Sequence, residues 1–192
     1  MDARRGKARP WLTTVSVALA LIVLPSIQGQ HAKPTEYEVK AAYLYNFSRF
    51  VEWPAQPLQA QTDSFAICVL GDNPFGPALQ ATVAQETISG KSVVAKQVPA
   101  PEDAMSCRVL FISSSEDKRL KEILTSLGKA SVLTVSDLPN FAQRGGMVQF
   151  VLEGNKVRFE VNSATAERAG LTLSSELLKV ALNVRTNVQL GD

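Results

Sequence analysis

The sequence predicts an α/β fold: a three-layer sandwich with a mostly parallel central sheet, an antiparallel hairpin edge and helices on both faces. Short apolar runs, such as FAICVLG at residues 65–71 and CRVLFIS at 107–113, are typical of strands buried on both faces. An amphipathic segment, SEDKRLKEILTSLG at 115–128, follows the second run. Two strands, at 147–152 and 156–161, are separated only by EGN, which suits a tight hairpin turn.

The first predicted element is a helix over residues 35–53, TEYEVKAAYLYNFSRFVEW. Thr35 is a suitable N-cap, and Pro54 ends the helix because the residue before a proline favours extended backbone. A second helix is predicted over 72–86, with Asn73 as its N-cap. Four further segments complete the pattern: strands at 91–98 and 130–136, and closing helices at 162–170 and 174–185.

The N-terminus has the pattern of a secretory signal peptide. A basic segment, MDARRGKARP, precedes about fifteen apolar residues and then small residues. We expect residues 1–29 to be cleaved and residues 30–192 to form a single domain in the periplasm. The alternative is an uncleaved N-terminal anchor. No second apolar run reaches the roughly 20 residues of a membrane span, so we expect no direct membrane insertion after cleavage.

Composition argues against catalysis and nucleic-acid binding. The formal net charge is +2, and no basic stripe with interleaved aromatic residues follows the first ten residues. The single histidine, His31, lies at the start of the expected mature chain. A Ser-His-Asp triad and a zinc site therefore lack their usual residues. We expect a protein that is not an enzyme, with no catalytic residues, no metal and no cofactor.

The two cysteines, Cys68 and Cys107, both lie in the expected mature chain. An even number of cysteines in an oxidising compartment favours one disulfide, while two buried thiols are the alternative. Two loops, LGDNPFG at 70–76 and ISSSE at 112–116, follow predicted strands. They would line one crevice at the carboxyl edge of the sheet, or serve simply as capped turns.

The first helix is unusually rich in aromatic residues. On a helical wheel its opposite, polar side carries Tyr45 beside Arg49 and Glu52, and we predict that these three residues bind a protein partner. Lys40 falls within the apolar arc, where its stem would pack while its amine reaches water. The predicted buried arc contains Val39, Ala42, Tyr43, Phe47, Phe50, Val51 and Trp53, with Leu44 at its edge, and the polar arc also contains Ala41 and Ser48.

An ordered set of segments carries a family resemblance over residues 35–181. They are EYEVKAAYLYNFSRFVEWP, FAICVLGDNPFG, CRVLFIS, VLTVSD, FAQRGGMVQFV, VRFEVN and ERAGLTLSSELLKVA. This set resembles the YfiR family of periplasmic proteins. The resemblance implies an exported α/β protein without known catalysis, with a disulfide at the positions of Cys68 and Cys107, and it implies a homodimer.

The resemblance also implies partners. YfiR-like proteins bind the periplasmic domain of an inner-membrane diguanylate cyclase and hold the enzyme inactive, which limits cyclic di-GMP and biofilm growth. An outer-membrane lipoprotein that sequesters the repressor is the second implied partner. The competing hypothesis is a periplasmic small-molecule sensor that feeds a sensor kinase or transporter. That hypothesis predicts a ligand pocket containing Trp53, Asn162 and Arg168, with Arg168 pairing an anionic group.

Overall fold

The computed structural model describes residues 33–55, 63–128 and 130–186 of the 192-residue chain. The predicted signal peptide, residues 1–29, lies outside these ranges. The described residues from Pro34 onward belong to one compact unit. None of the helices within the described ranges is both long enough and apolar enough to cross a membrane.

The central sheet has eight strands in the order β10-β8-β7-β6-β5-β2-β4-β3. Some strands that are neighbours in the sheet, such as β5 and β2, are not consecutive in the chain, as expected when helices connect parallel strands. The strands are β2 (Ser64–Leu70), β3 (Thr87–Ile88), β4 (Lys91–Val98), β5 (Val109–Ile112), β6 (Leu133–Ser136), β7 (Val148–Glu153), β8 (Lys156–Asn162) and β10 (Asn183–Arg185); β1 (Val51–Glu52) and β9 (Thr172–Leu173) form a separate antiparallel pair.

The sheet is mostly parallel, as predicted. Strands β4, β2, β5, β6 and β7 run in one direction, with Cys68 of β2 opposite Leu110 of β5. The predicted hairpin is present as the antiparallel pair β7 and β8, with Gly154 in the turn at φ +60°. The short strand β10 adds a parallel partner outside β8, and β3 pairs antiparallel with β4 at the other side of the sheet.

Helices cover both faces of the sheet, which confirms the three layers. The helices are α1 (Glu36–Phe47), α2 (Ala78–Val83), α3 (Leu120–Leu127), α4 (Ser163–Arg168) and α5 (Ser175–Val180), with 3-10 turns at Pro101–Ser106 and Ser114–Arg119. Successive side chains of β2 point alternately towards the helical layers on the two faces of the sheet. Ile67 packs in the core beneath α1, α2, α4 and α5, whereas Leu70 packs in the core beneath α3.

Helix α1 ends at Phe47, six residues before the predicted end at Trp53. Thr35 forms the predicted N-terminal cap in a capping box with Glu38. At the other end the Ser48 hydroxyl donates to the carbonyl of Leu44. The chain then extends into β1, which pairs with β9. A strand pairing made with residues over a hundred positions away therefore replaces the last turns of the predicted helix.

The predicted division of α1 into a buried and a polar arc is wrong in part. Ala41 and Ser48, assigned to the polar arc, are buried, whereas Phe50, assigned to the buried arc, follows the end of the helix and is exposed. Lys40 is also buried, so the expectation that its amine reaches water is wrong. Phe47 is buried as predicted, with its ring centroid 5.0 Å from that of Phe159. Burying an aromatic side chain of this size stabilises the fold by roughly 1.5–3 kcal/mol, which is sufficient reason for α1 to pack on the sheet.

The predicted second helix is also shorter than its sequence pattern. Asn73 accepts a hydrogen bond from the backbone N–H of Phe75, which forms a turn instead of a helix N-cap. The regular helix α2 begins only at Ala78. By contrast, Ser174 caps α5 as expected, since its hydroxyl accepts from the N–H of Leu177.

Cys68 and Cys107 form a disulfide in the structure. Cys68 lies in the middle of β2, and Cys107 directly follows the 3-10 turn that leads into β5. Both residues are buried in the core beneath α3. The bond therefore ties β2 to the segment where the chain enters the neighbouring strand.

Candidate functional site

Helix α1 runs antiparallel to the parallel strands and connects the two edges of the sheet. Near its start, Lys40 and Tyr37 contact Asp137, which directly follows β6 at the carboxyl edge. Near its end, the Tyr45 hydroxyl donates to Glu86, which directly precedes β3. The two ends of the helix thus contribute to two different surfaces.

A groove of about 970 Å³ lies at the amino edge of the sheet. Ser64 begins β2, Lys91 begins β4 and Arg108 precedes β5, so three neighbouring strands start along this groove. Its other wall comes from the end of α1 and from β1. We call it the amino-edge groove; it is lined by Tyr45, Ser48, Arg49, Val51, Glu52, Trp53, Ser64, Phe65, Glu86, Thr87, Ile88, Ser89, Lys91 and Arg108.

The three residues predicted to bind a partner all line this groove, although only one of them is in the helix. Tyr45 belongs to α1, Arg49 lies in the turn after it, and Glu52 belongs to β1. Arg49 and Glu52 are exposed. They lie together because the chain turns after Phe47 and continues into β1 along the same groove, and not because they share a helical face.

Tyr45, on the predicted polar side of the helix, is half-buried. Its hydroxyl donates to a carboxylate oxygen of Glu86 at 2.6 Å. This hydrogen bond to a carboxylate is the main reason that the pKa of Tyr45 is raised. The contact fixes the ring against the groove wall and leaves Arg49 and Glu52 as the more accessible groups.

The predicted ligand residues Trp53, Asn162 and Arg168 occupy separate positions. Trp53 lines the amino-edge groove and packs edge-on against Phe65, with ring centroids 5.3 Å apart. Asn162 is buried and caps α4, accepting from the N–H of Thr165. Arg168 is exposed and donates to the hydroxyl of the same threonine at 2.9 Å. Neither Asn162 nor Arg168 lines the groove, so their shared pocket with Trp53 stays a prediction.

The opposite wall of the groove was missed by sequence reasoning. Glu86 and Lys91 flank β3 on either side, whereas Arg108 precedes β5, and the sequence pattern assigns none of the three to a binding role. One signal was available, because the first residues of adjacent parallel strands must meet at one edge of the sheet. Arg108 is half-buried, and this burial lowers the pKa of its guanidinium.

At the other end of α1 the charges are closely paired. The Lys40 ammonium lies 2.6 Å from Asp137 and 2.5 Å from Glu36. It also lies 4.4 Å from the centroid of the Tyr37 ring. Burial, followed by the negative charge of Asp137, raises the pKa of Tyr37 to about 12. This cluster fastens α1 to the carboxyl end of β6.

The two loops expected to line a crevice at the carboxyl edge are hydrogen-bonded to each other. The N–H of Asp72 donates to the Ser115 hydroxyl at 2.9 Å. The side chain of Gln97 donates to the carbonyl of Gly71 at 2.9 Å. These contacts favour the capped-turn interpretation at this position. No three His, Cys, Asp or Glu side chains within the described ranges are arranged to hold a metal ion.

Solved structures share the fold at low sequence identity. A conserved domain protein from Vibrio cholerae O1 biovar eltor matches with a TM-score of 0.54 and 12% identity, covering 79% of this chain and 60% of that one. An ABC domain from Streptococcus pneumoniae, in complex with L-Trp, matches with a TM-score of 0.51 and 12% identity, covering 75% of this chain and 60% of that one. The chain thus spans about three fifths of each, and the likeness concerns the fold alone.

The sequence itself gives a more specific match. The model of the YfiR/HmsC-like family covers residues 37–182, a range that begins at the second residue of α1 and includes every strand of the central sheet except β10, together with the closing helices. This range contains the disulfide and the amino-edge groove. The family comprises periplasmic, non-catalytic regulators of cyclic di-GMP signalling. The chain belongs to the YfiR/HmsC-like family.

Proposed function

We propose that this protein represses an inner-membrane diguanylate cyclase by binding the periplasmic domain of that enzyme at the amino-edge groove. The observation that supports this most is the placement of Tyr45, Arg49 and Glu52 on one groove, although they come from a helix, a turn and a strand. Family membership supplies the signalling context. Repression would be achieved by binding, with the chemistry carried out by the cyclase.

The composition of the groove suits a protein interface. Aromatic and arginine side chains are enriched where proteins bind each other, and here Tyr45 and Trp53 flank the exposed Arg49. The hydrogen bond from Tyr45 to Glu86 holds one aromatic ring in place before any partner arrives. Such preorganisation reduces the conformational entropy that is lost on binding.

Two further associations belong to the same proposal. An outer-membrane lipoprotein that occupies the groove would displace the cyclase and release its activity. Homodimerisation would present two grooves to a dimeric cyclase, which raises affinity through effective concentration. Export by the N-terminal segment would place the domain in the periplasm with both partners.

The test measures cyclic di-GMP in cells that lack this chain and are complemented with variants. Wild type should restore a low level. The Arg49→Ala, Glu52→Ala double variant should leave the level high, because both exposed charged groups of the groove are lost. The matched control is Lys121→Ala, Glu122→Ala, which removes one exposed cation and one exposed anion from α3, on the opposite face of the sheet.

The same variants are then titrated against purified periplasmic domains of the inner-membrane diguanylate cyclases of the same organism. We expect the groove variant to bind at least tenfold more weakly than wild type, and the α3 control to bind normally. Full repression by the groove variant, or equal loss in the control, would reject the groove as the partner site.

A further inference from the structure

The two outer strands of the central sheet differ in how their free edges are protected. Strand β3, at one side, has only two residues and lies between Gln85 and Ser89, whose left-handed backbone bends the chain at both ends. The part of β4 that β3 leaves unpaired carries the exposed Lys96. Short strands and lysine side chains protect a sheet edge against pairing with another chain.

Strand β10, at the other side of the sheet, has no such protection. It is the last strand in the order, and within the described ranges no strand lies outside it. Val180 and Leu182, just before it, are 58% and 40% exposed. Apolar side chains beside an open strand edge are typical of a surface that pairs with another chain.

The backbone of β10 presents unpaired groups at this edge. Successive residues of a strand point their N–H and C=O to opposite sides. The carbonyl of Arg185 accepts from the hydroxyl of Ser163, which directly follows β8, so Arg185 faces β8. Its neighbour Val184 therefore points its N–H and C=O away from β8, towards the open edge.

A buried donor at the same edge lacks an acceptor. Arg185 is half-buried, and its Nε is buried with no hydrogen-bond partner among the described residues. A buried N–H without an acceptor is unfavourable, so a molecule that covers this edge should bring one. Asn183, two residues earlier, is exposed, and its amide oxygen would be a suitable acceptor in a second copy of the chain.

The strand pattern of the sequence continues beyond the pairing that β8 provides. In LNVRTNVQL, at 182–190, the apolar residues all occupy alternate positions. Strand β8 ends at Asn162, which lies opposite Arg185. The strand pattern thus outlasts its neighbour in the sheet, which favours a further partner on the outer side.

We propose that two copies of this chain pair through β10, antiparallel, about a two-fold axis between their Val184 residues. The N–H and C=O of each Val184 would bond to those of the other, which joins the two sheets into one. Asn183 would lie opposite Arg185 of the second copy, where its amide oxygen accepts from the buried Nε. Val180 and Leu182 of the two copies would cover one another's exposed apolar surface.

Charge and hydrogen bonding select this register. Identical edges related by a two-fold axis must pair antiparallel. A shift by two residues in one direction would place Arg185 opposite itself, and like charges in opposite positions are destabilising. A shift in the other direction needs the N–H of Leu182, which already donates to the carbonyl of Phe159.

The inferred contact is small and leaves the amino-edge groove open. It specifies the surface of the homodimer that belongs to the proposed function, and none of its residues lines that groove. Strand β10 has only three residues, and interfaces below about 1,200 Å² are typical of transient complexes. We therefore expect a monomer–dimer equilibrium that depends on protein concentration.

The first test is Val184→Cys in the full-length chain, exported and processed by the cell. Opposite residues that exchange hydrogen bonds have Cα atoms about 5.5 Å apart, which a disulfide can span. Cys68 and Cys107, the only natural cysteines, bond to each other, so the new thiol has no partner within its own copy. We expect a disulfide-linked dimer in non-reducing electrophoresis.

The matched control for the cross-link is Leu182→Cys. In the proposed register Leu182 lies opposite Thr186 of the second copy, so two cysteines at 182 are too far apart to bond. This variant should give at least about tenfold less cross-linked dimer than Val184→Cys. Equal cross-linking of the two variants would overturn the register.

The second test is sedimentation of wild type and variants over a range of concentrations. A Val180→Lys, Leu182→Lys double variant should dimerise at least about tenfold more weakly than wild type, because charge replaces the apolar contact. Leu152→Lys is the matched control, since Leu152 is 56% exposed on β7, at the far end of the hairpin from β10. It should dimerise as wild type does.

Two further results would overturn the proposal: a wild type that stays monomeric at every concentration, or a double variant that dimerises normally. Val180 and Leu182 are exposed, so their substitution tests the edge without removing core contacts. Both tests are made without the cyclase, so their failure leaves repression at the amino-edge groove intact. A failure of repression in cells likewise leaves the measured dimer intact.

Discussion

The two edges of the central sheet use their polar residues differently. At the carboxyl edge, polar groups bond to each other: Asp72 to Ser115, and Arg144 to Asp117 at 2.6 Å. At the amino edge, Arg49 and Glu52 are exposed on an open groove. The two ends of helix α1 differ in the same way. Near its start Lys40 is buried between two carboxylates, whereas Arg49, just after its end, is exposed.

This contrast reverses the usual arrangement of open α/β sheets. Ligands generally bind outside the carboxyl ends of parallel strands, at the point where strand order reverses. Here the loops at that edge fill the space with their own hydrogen bonds, whereas the amino edge presents cations and aromatic rings. The proposed position of the binding surface therefore depends on how the loop residues at the carboxyl edge bond to one another, in addition to strand topology.

The largest expected effect comes from removing the disulfide. A Cys68→Ala, Cys107→Ala double variant loses a cross-link with a sequence separation of 39. The chain-entropy model gives a loss of about 4 kcal/mol in the free energy of unfolding, measurable by urea denaturation. Because Cys107 precedes the groove residue Arg108, hydrogen exchange should rise more at the start of β5 than at Asp72–Asn73. Equal increases at both edges would contradict the asymmetry.

A pair of glycine substitutions compares the two edges directly. Gly71 and Gly90 both have left-handed backbone, at φ +86° and +76°. A Cβ at Gly71 would lie 2.4 Å from the Ser115 hydroxyl oxygen, so Ser115 must give up its bond with Asp72. A Cβ at Gly90 meets nothing within 4 Å.

We therefore expect the carboxyl edge to respond more strongly. Gly71→Ala should lower the free energy of unfolding by about 3 kcal/mol, from backbone strain together with the clash at Ser115. Gly90→Ala should lower it by about 1 kcal/mol, from backbone strain alone. Thermal and urea denaturation of the two variants provide the measurement. Equal losses would show that the loops of the carboxyl edge adjust freely and are not closely packed.

The strands and the layers could be predicted from sequence because their signals are local. The buried runs that became β2 and β5 are short, apolar and bounded by turn residues. The end of α1 could not, because Val51 leaves the helix to pair with Leu173, far along the chain. The helical spacing of apolar residues continues past Phe47, but these later residues are extended because they pair with a distant strand.

Only part of the candidate site could be predicted, because sequence patterns report local neighbours and not contacts between distant segments. Tyr45, Arg49 and Glu52 were grouped by a helical wheel, and they do share a groove, but Arg49 and Glu52 follow the end of the helix. The wheel could not supply Glu86 or Arg108, which reach the groove through the order of strands in the sheet. Lys40 was misplaced because its partner Asp137 is nearly a hundred residues away.

A smaller effect is expected from Tyr45→Phe at the groove. The variant keeps the ring and removes the hydroxyl that donates to Glu86. The loss should be about 1 kcal/mol of unfolding free energy, the usual contribution of one hydrogen bond. Tyr43→Phe is the control, because the Tyr43 ring packs against Phe159 and its hydroxyl has no hydrogen bond among the described residues. Similar losses in both variants would show that the bond to Glu86 does not stabilise the groove wall.

The last effect appears only in alkali, and it concerns the enclosed end of α1. The pKa of Tyr37 is about 12 in the folded protein against 10.0 ordinarily, so folding favours the protonated phenol. Its contribution to stability is complete below pH 10 and is lost as pH rises towards 12. Tyr37→Phe should reduce this alkaline loss, and Asp137→Asn should lower the pKa of Tyr37 by removing a negative charge. Near-ultraviolet titration of tyrosinate measures both effects. An unchanged pKa of Tyr37 in Asp137→Asn would mean that the charge of Asp137 does not contribute to it.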